Sequence, residues 1–140
     1  MTTRMQIVNE AYSWLGTKFI HQARLKGVGI DCAGLIECIA QTFQLVPNDY
    51  VPILNYPRDP SGIVENILRQ HMDQINVSEI KPGSVIFFGF GEKFGQHLGI
   101  YTDKGTFIHA HNTTGKVTEV TYAGFWIKHT LAAFDYRGIQ

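Results

Sequence analysis

The chain has 140 residues, 44% of them hydrophobic, and a formal net charge of +0. This length suits one domain, residues 1–140, with a core of its own, and it is too short to suggest two. The balanced charge, without a run of Lys or Arg, argues against nucleic acid or an anionic membrane as the main partner. The first residues lack the apolar segment of a secretion signal, and no apolar stretch approaches the ~20 residues of a membrane span. We therefore expect a domain that is synthesised in the cytoplasm without a signal peptide.

The first half of the chain shows the residue spacing of amphipathic helices. Residues 3–15 carry apolar side chains at helical intervals, which predicts a first helix. A loop over 17–30 follows, and a second helix is predicted over 32–43 with Asp31 as its N-cap. After an irregular, proline-containing connection, the Asp-Pro pair at 59–60 predicts the start of a third helix.

The second half changes to short runs of β-branched and aromatic residues. A Lys-Pro-Gly turn at 81–83 precedes five strand-like runs, at 84–90, 97–102, 106–112, 116–122 and 131–136. Helices followed by strands predict an α+β domain, with N-terminal helices packed on a C-terminal antiparallel sheet of about five to six strands.

The cysteine at position 32 begins the predicted second helix. A helix N-terminus carries about half a positive charge, which favours thiolate over thiol. The backbone N–H of Cys32 at the helix start could also help to stabilise an oxyanion. Cys38 lies on the same helix at a rise of ~9 Å, too far for a disulfide, and is expected to be a small buried hydrophobic residue.

Three histidines share one face of two predicted strands. Alternation places His97 on the first strand and both His109 and His111 on the second. A three-residue hairpin loop at 103–105 would put His97 opposite His111 with His109 on the diagonal, and a shift by two residues would put His97 opposite His109. The pattern predicts Cys32 as nucleophile and His97 as general base and then acid. It leaves both other histidines open as the group that orients the base.

A metal site is a second interpretation of the same side chains. Cys32, His97, His109 and His111 could supply four ligands for zinc. Closely spaced ligand pairs such as Cys-x2-Cys are absent, and a single thiolate at a helix start suits nucleophilic chemistry better. The preferred hypothesis is a cysteine hydrolase that needs neither metal nor cofactor.

At these positions the chain resembles the NlpC-type family of cell-wall peptidases, papain-like enzymes that cut peptidoglycan stem peptides. The motif Asp-Cys-Ala-Gly-Leu at 31–35 resembles the family's nucleophile motif. Gln-His-Leu-Gly-Ile-Tyr at 96–101 resembles its base motif, and Phe-Ile-His-Ala at 107–110 its third catalytic position. The resemblance implies a papain-like fold and a peptidoglycan stem-peptide substrate, cut between γ-D-glutamate and a diamino acid. It also implies a catalytic triad of Cys32, His97 and His109.

The resemblance narrows toward the phage and gene-transfer-agent branch of that family. It is carried by residues 14–17, 21–23, 26–29 and 56–59. Proteins of this branch are encoded among tail genes. The resemblance therefore implies a hydrolase carried in the tail of a phage, a prophage or a phage-like particle, with tail proteins as partners, that opens the wall during DNA entry.

Several residues depart from the family pattern where the substrate is recognised. Ala33 replaces a serine that in some members helps to bind the free N-terminal amine of the stem peptide, and Phe19 replaces a tyrosine. Gln22 and Ala23 replace a Gly-Gly pair. Asp31 is expected to be an N-cap or a substrate contact. The candidate substrate-binding residues are Asp31, Phe19, Ala33 and His111.

Two alternative functions remain open at this stage. One is a non-enzymatic tail-tip structural or assembly protein that keeps the peptidase fold. The other is acyl transfer or amide hydrolysis on a substrate other than murein, which relatives of the fold perform.

Overall fold

The computed structural model describes residues 1–47, 49–51, 62–91 and 96–140, and the predicted helix start at 59–60 lies outside them. The helices are α1 (Arg4–Ser13), α2 (Cys32–Thr42), α3 (Gly62–His71) and α4 (Phe125–Lys128). The strands are β1 (Arg24–Leu25), β2 (Gly29–Ile30), β3 (Met72–Ile75), β4 (Val85–Gly89), β5 (Gln96–Tyr101), β6 (Thr106–His111), β7 (Lys116–Thr121) and β8 (Thr130–Tyr136). No helix of the described ranges combines the length and the apolar character that crossing a membrane requires.

Side-chain caps define where the first two helices begin. Thr3 and Gln6 form a capping box at the start of α1, in which each side chain bonds to the backbone N–H of the other residue. The Asp31 carboxylate accepts a hydrogen bond of 2.8 Å from the N–H of Gly34 in the first turn of α2. Cys32 is therefore the first residue of its helix, as predicted.

The main sheet has six strands in the order β3-β8-β4-β5-β6-β7, and every neighbouring pair is antiparallel. The hairpin between β5 and β6 pairs Tyr101 with Phe107 and Ile100 with Ile108. This is the register predicted from a loop at 103–105. The α+β architecture with an antiparallel sheet is thus confirmed.

Several short elements were not predicted. β3 adds an edge strand that pairs with β8, and β1 and β2 form a small hairpin inside the stretch 17–30 that we predicted as a loop. The short helix α4 precedes β8. Each of these elements is two to four residues long, too short for a periodic pattern to be recognised in the sequence.

The two faces of the sheet bury different sets of side chains. On one face, Leu98 and Ile108 pack with the buried sides of α1 and α2 in the main core. On the other face, Phe88 and Phe107 form a smaller core against Trp126 of α4. The second face is also the one that carries the histidines of β5 and β6.

Candidate active site

Cys32 lies where the N-terminus of α2 abuts strand β5. Its residue surface is only 8% exposed. The backbone N–H groups of Ala33 and Leu98 hydrogen-bond to its sulfur and lower the pKa of the thiol. Leu98 directly follows His97 on β5. The predicted nucleophile therefore contacts the strand that carries the predicted base.

The strand edge at Leu98 faces the nucleophile because of the backbone alternation in β5. Tyr101 donates its N–H to Ser84 on the β4 side of the strand. Since successive residues of a strand point their N–H groups to opposite sides, the N–H of Leu98 points toward β6. The pairs formed between β5 and β6 in the described residues are at Ile100 and Tyr101, nearer the hairpin turn. Beyond these pairs the N–H of Leu98 is directed at Cys32.

The rings of His97 and His109 are joined directly. Nε2 of His97 lies 2.6 Å from Nδ1 of His109, and the two residues are 8% and 0% exposed. The ring of His111 stacks on His109 with centroids 4.8 Å apart and planes inclined by 14°. The structure thus selects His109 as the hydrogen-bond partner of His97, a choice that the strand pattern left open.

Aromatic side chains surround this histidine pair. Trp126 packs against His97 and His109 with ring centroids 6.5 and 5.3 Å away. Phe88 stacks on His97, and Phe107 packs edge-on against His109. This apolar enclosure limits the access of water to the two rings and disfavours charge on them.

Burial makes the histidines weak bases. It lowers the pKa of His97 well below its usual value, with smaller contributions from the charges of His109 and His111. The pKa of His109 falls to about 3, chiefly through burial and then through His111. Both rings are therefore neutral at neutral pH, and His97 can accept a proton there.

The thiol of Cys32 departs from the prediction made from its helix position. Burial, and to a smaller extent the charge of Asp31, raise its pKa to about 12, against the lowering effects of the two backbone N–H groups and of Arg24. The backbone N–H of Ala33 at the helix start lowers this pKa, as expected, but the cost of burying a charged sulfur is larger, so the helix position alone does not favour the thiolate here. The resting pair is a neutral thiol and a neutral imidazole.

We expect the alkylation of Cys32 to rise steadily with pH. As long as the pH stays below the raised pKa, each increase of one pH unit makes the reactive thiolate about tenfold more abundant. The measurement is the rate of iodoacetamide labelling at Cys32 between about pH 6 and pH 9, followed by peptide mass spectrometry in a Cys38→Ser background. A plateau reached already at mildly acidic pH would contradict the neutral pair and indicate a preformed thiolate.

The other predicted site residues surround the start of α2. Asp31 is 2% exposed, and its carboxylate accepts hydrogen bonds from the backbone N–H groups of Gln22 and Gly34, at 2.7 and 2.8 Å. Phe19 is half-buried and pairs with Ile30, the residue before Asp31. These contacts make Asp31 an N-cap, while substrate contacts by Asp31, Phe19, Ala33 and His111 stay predictions.

The sequence patterns did not indicate a partly buried cation, Arg24, near the nucleophile. Nη1 of Arg24 lies 3.0 Å from Oδ1 of Asp31, and its Nε lies 3.2 Å from Oε1 of Glu37. Arg24 falls within the stretch predicted as a loop, so no pattern indicated that it would fold against α2. The only signal was a charge pair seven positions apart, which is meaningful only once the β1–β2 hairpin is known.

The zinc interpretation has no support in this geometry. Nε2 of His97 and Nδ1 of His109 are directed at each other at 2.6 Å, and not at a common centre. Across the described ranges, no group of three or more histidine, cysteine or acidic residues is arranged to hold a metal ion.

Comparisons with known proteins all point to one family. A sequence model described as the NlpC/P60 family matches residues 9–135 of the chain. The chain is 26% identical over 126 residues to the gamma-DL-glutamyl hydrolase of Bacillus subtilis (strain 168). It is 24% identical over 128 residues to the Escherichia coli K12 murein DD-endopeptidase MepS/murein LD-carboxypeptidase. Each alignment covers 89% of this chain, but only 27% and 58% of those longer relatives.

Solved structures show the same fold. An NlpC/P60 family protein from Bacillus cereus superposes with a TM-score of 0.70 at 21% identity, over 96% of this chain and 40% of that protein. RipD of Mycobacterium tuberculosis, a non-catalytic NlpC/p60 domain protein adapted to peptidoglycan binding, superposes with a TM-score of 0.58 at 17% identity. That alignment covers 96% of this chain and 98% of RipD.

Proposed function

The chain belongs to the NlpC/P60 family, and we propose that it is a cysteine peptidase that hydrolyses an amide bond in peptidoglycan stem peptides. Cys32 is the nucleophile, His97 the general base and then acid, and His109 the residue that orients His97. The observation that carries the proposal is the buried 2.6 Å bond between His97 and His109, on the strand whose Leu98 N–H contacts the Cys32 sulfur. The names of the relatives, a glutamyl hydrolase and a murein endopeptidase, support the choice of substrate.

Acylation begins from the neutral pair. Nδ1 of His97 takes the proton from the Cys32 thiol while the sulfur attacks the amide carbon, which gives a tetrahedral intermediate. This role requires His97 to carry its hydrogen on Nε2 and to donate it to Nδ1 of His109. The hydrogen of His109 then lies on Nε2, a buried atom without a hydrogen-bond partner among the described residues.

In the described residues, His97 bonds to His109 and not to the Cys32 thiol. In cysteine and serine hydrolases the hydrogen bond between nucleophile and base, here Cys32 and His97, is commonly long until substrate binds. In the proposed reaction the intermediate expels the amine, which takes the proton from His97, and a thioester remains on Cys32. Water, deprotonated by His97, then hydrolyses the thioester, and the thiol recovers its hydrogen. The backbone N–H of Cys32 at the start of α2 is the proposed donor to the oxyanion.

The finer parts of the proposal rest on sequence resemblance. The motifs at 31–35, 96–101 and 107–110 support cleavage between γ-D-glutamate and a diamino acid. The residues at 14–17 and 21–23 support a place in the tail of a phage or phage-like particle, with other tail proteins as partners. In that setting the protein, made in the cytoplasm, acts on the wall as part of the particle.

A non-enzymatic role is the second candidate, and one observation favours it. Burial raises the pKa of Cys32 to about 12, as expected of an inert thiol. RipD has the same fold and is non-catalytic. In this alternative the domain binds peptidoglycan, or assembles in a tail tip, without cutting the stem peptide.

Mass spectrometry of incubated substrates distinguishes these functions. The protein and its Cys32→Ala variant are each incubated with purified stem tripeptide, with stem tetrapeptide and with intact murein sacculi. Cleavage after γ-D-glutamate by the parent protein alone is the expected result. Digestion of sacculi without cleavage of free peptides would support the hydrolase but change its substrate to the cross-linked polymer. If neither substrate is cut and sacculi still retain the protein, the binding function replaces the proposal.

The two histidines of β6 are expected to differ in importance. His109→Ala removes the acceptor that fixes the tautomer of His97. A neutral ring cannot stabilise an imidazolium as a carboxylate does, so the loss in activity should stay below the about 10⁴-fold seen when the aspartate of a Ser-His-Asp triad is replaced. His111→Ala removes only a stacked ring and should cost less. His109→Asn restores an acceptor and should recover part of the loss. Initial rates on the cleaved substrate decide the order, and a larger loss in His111→Ala would identify His111 as the orienting residue.

A further inference from the structure

The side chain of Arg24 lies across the first turns of helix α2. Its guanidinium group donates to the Asp31 carboxylate at 3.0 Å, to the Glu37 carboxylate at 3.2 Å and to the carbonyl of Ala23 at 2.9 Å. The side chains of Asp31 and Glu37 are 3% and 4% exposed, and that of Arg24 is 16% exposed. Arg24 therefore joins Asp31, the residue before the nucleophile, to the buried acid Glu37 further along the helix.

Gly34 makes room for this arginine. A Cβ atom at position 34 would lie 2.6 Å from Nη1 and 2.8 Å from Cζ of Arg24, closer than real Cβ contacts. The absence of a side chain there allows the guanidinium plane to pass over the helix. The glycine of the nucleophile motif thus serves the contact between Arg24 and Asp31, and any side chain at this position would displace the arginine.

Asp31 acts on Cys32 in two opposing ways. Its carboxylate caps α2 and holds the backbone of Gln22, and so fixes where the helix begins. The same negative charge, one residue from the sulfur, raises the pKa of the thiol, and the positive charge of Arg24 lowers it. A cap without charge compensation would oppose the negative charge that develops on the sulfur during attack.

We propose that Arg24 is a positioning residue for Cys32, which holds the Asp31 cap against α2 through Glu37 and compensates the negative charge beside the nucleophile. This proposal rests on the proposed function of Cys32. The neighbouring titratable groups are His21, whose Nδ1 lies 3.8 Å from Oδ2 of Asp31, and Tyr50, whose hydroxyl donates to Glu37 at 2.7 Å. On the strand side, the titratable group His97 precedes Leu98, whose backbone N–H contacts the Cys32 sulfur.

The test measures the iodoacetamide labelling rate of Cys32 at about pH 8, where the thiol is protonated, in a Cys38→Ser background. Arg24→Met should slow labelling by about tenfold for each unit by which the pKa rises. Asp31→Asn keeps a capping side chain but removes the charge, and should speed labelling. Arg24→Met combined with Asp31→Asn should label at nearly the parent rate. Lys26→Met is the matched control, because Lys26 lies close by in the chain and pairs with Glu10 instead.

Each result decides for or against the proposal. Equal labelling rates in Arg24→Met and Lys26→Met would overturn the proposal. Slow labelling in the double variant Arg24→Met, Asp31→Asn would also overturn it, because Arg24 would then have only a structural role. If Arg24→Met does not fold, Asp31→Asn decides, since labelling that is no faster than in the parent contradicts charge compensation. Labelling needs no substrate, so a protein that labels as expected but leaves murein uncut would refute only the proposed function.

Discussion

Cys32→Ala is expected to abolish substrate cleavage, with a loss of about 10⁴-fold or more in kcat/KM. In the proposed mechanism the sulfur of Cys32 forms the acyl intermediate, and a methyl group at this position cannot form one. Cys38→Ala is the matched control, because Cys38 is a second free thiol on the same helix, half-buried and not at the helix start. That variant should cleave like the parent protein.

The Cys32 variant should also keep its fold. Replacing the buried –CH2SH side chain by a methyl group removes only the sulfur atom from a well-packed site, which costs about 1 kcal/mol of unfolding free energy. Circular dichroism and thermal unfolding of both alanine variants check this point. Cleavage by Cys32→Ala at a rate near that of the parent would show that the reaction does not proceed through this thiol.

Replacing His97 is expected to cause the second largest loss. The base contributes about 10²- to 10⁴-fold to the proton-transfer steps, and a thiol whose pKa is raised to about 12 depends on it fully. His97→Gln is the informative variant, because its amide can still donate to His109 but cannot carry a proton between Cys32 and the leaving amine. His129→Gln is the control, a histidine whose ring contacts are with Phe90 and Phe125.

The pH profile of the parent protein provides a second measurement of the same role. The base works in its neutral form, and burial places the pKa of His97 well below the usual value of 6.5. Activity should therefore persist below pH 6.5, where an ordinary imidazole is already protonated, and decline only at lower pH. A decline centred near 6.5, or wild-type kcat/KM in His97→Gln, would show that another group is the base.

Much of the fold could be predicted from the sequence because it depends on neighbours along the chain. The capping residue Asp31 and the apolar spacing of α2 were enough to predict that Cys32 is the first residue of its helix. The loop at 103–105 determined the register of β5 and β6. Strand β3 escaped prediction because its four residues become a strand only by pairing with β8, about 60 positions later.

The sequence by itself determined which residues are candidates for the proposed chemistry, since a cysteine at a helix start and three histidines with strand alternation are local patterns. Three properties of the site were decided only by the tertiary structure. The choice of His109 over His111 depends on which ring nitrogen comes within 2.6 Å of His97. The raised pKa of Cys32 depends on burial, which exceeds the local effect of the helix N-terminus. The contact of Arg24 with Asp31 depends on the β1–β2 hairpin, which brings the arginine side chain over Gly34. All three properties depend on segments that are distant in the sequence and meet only in the folded chain, so no local pattern contains them.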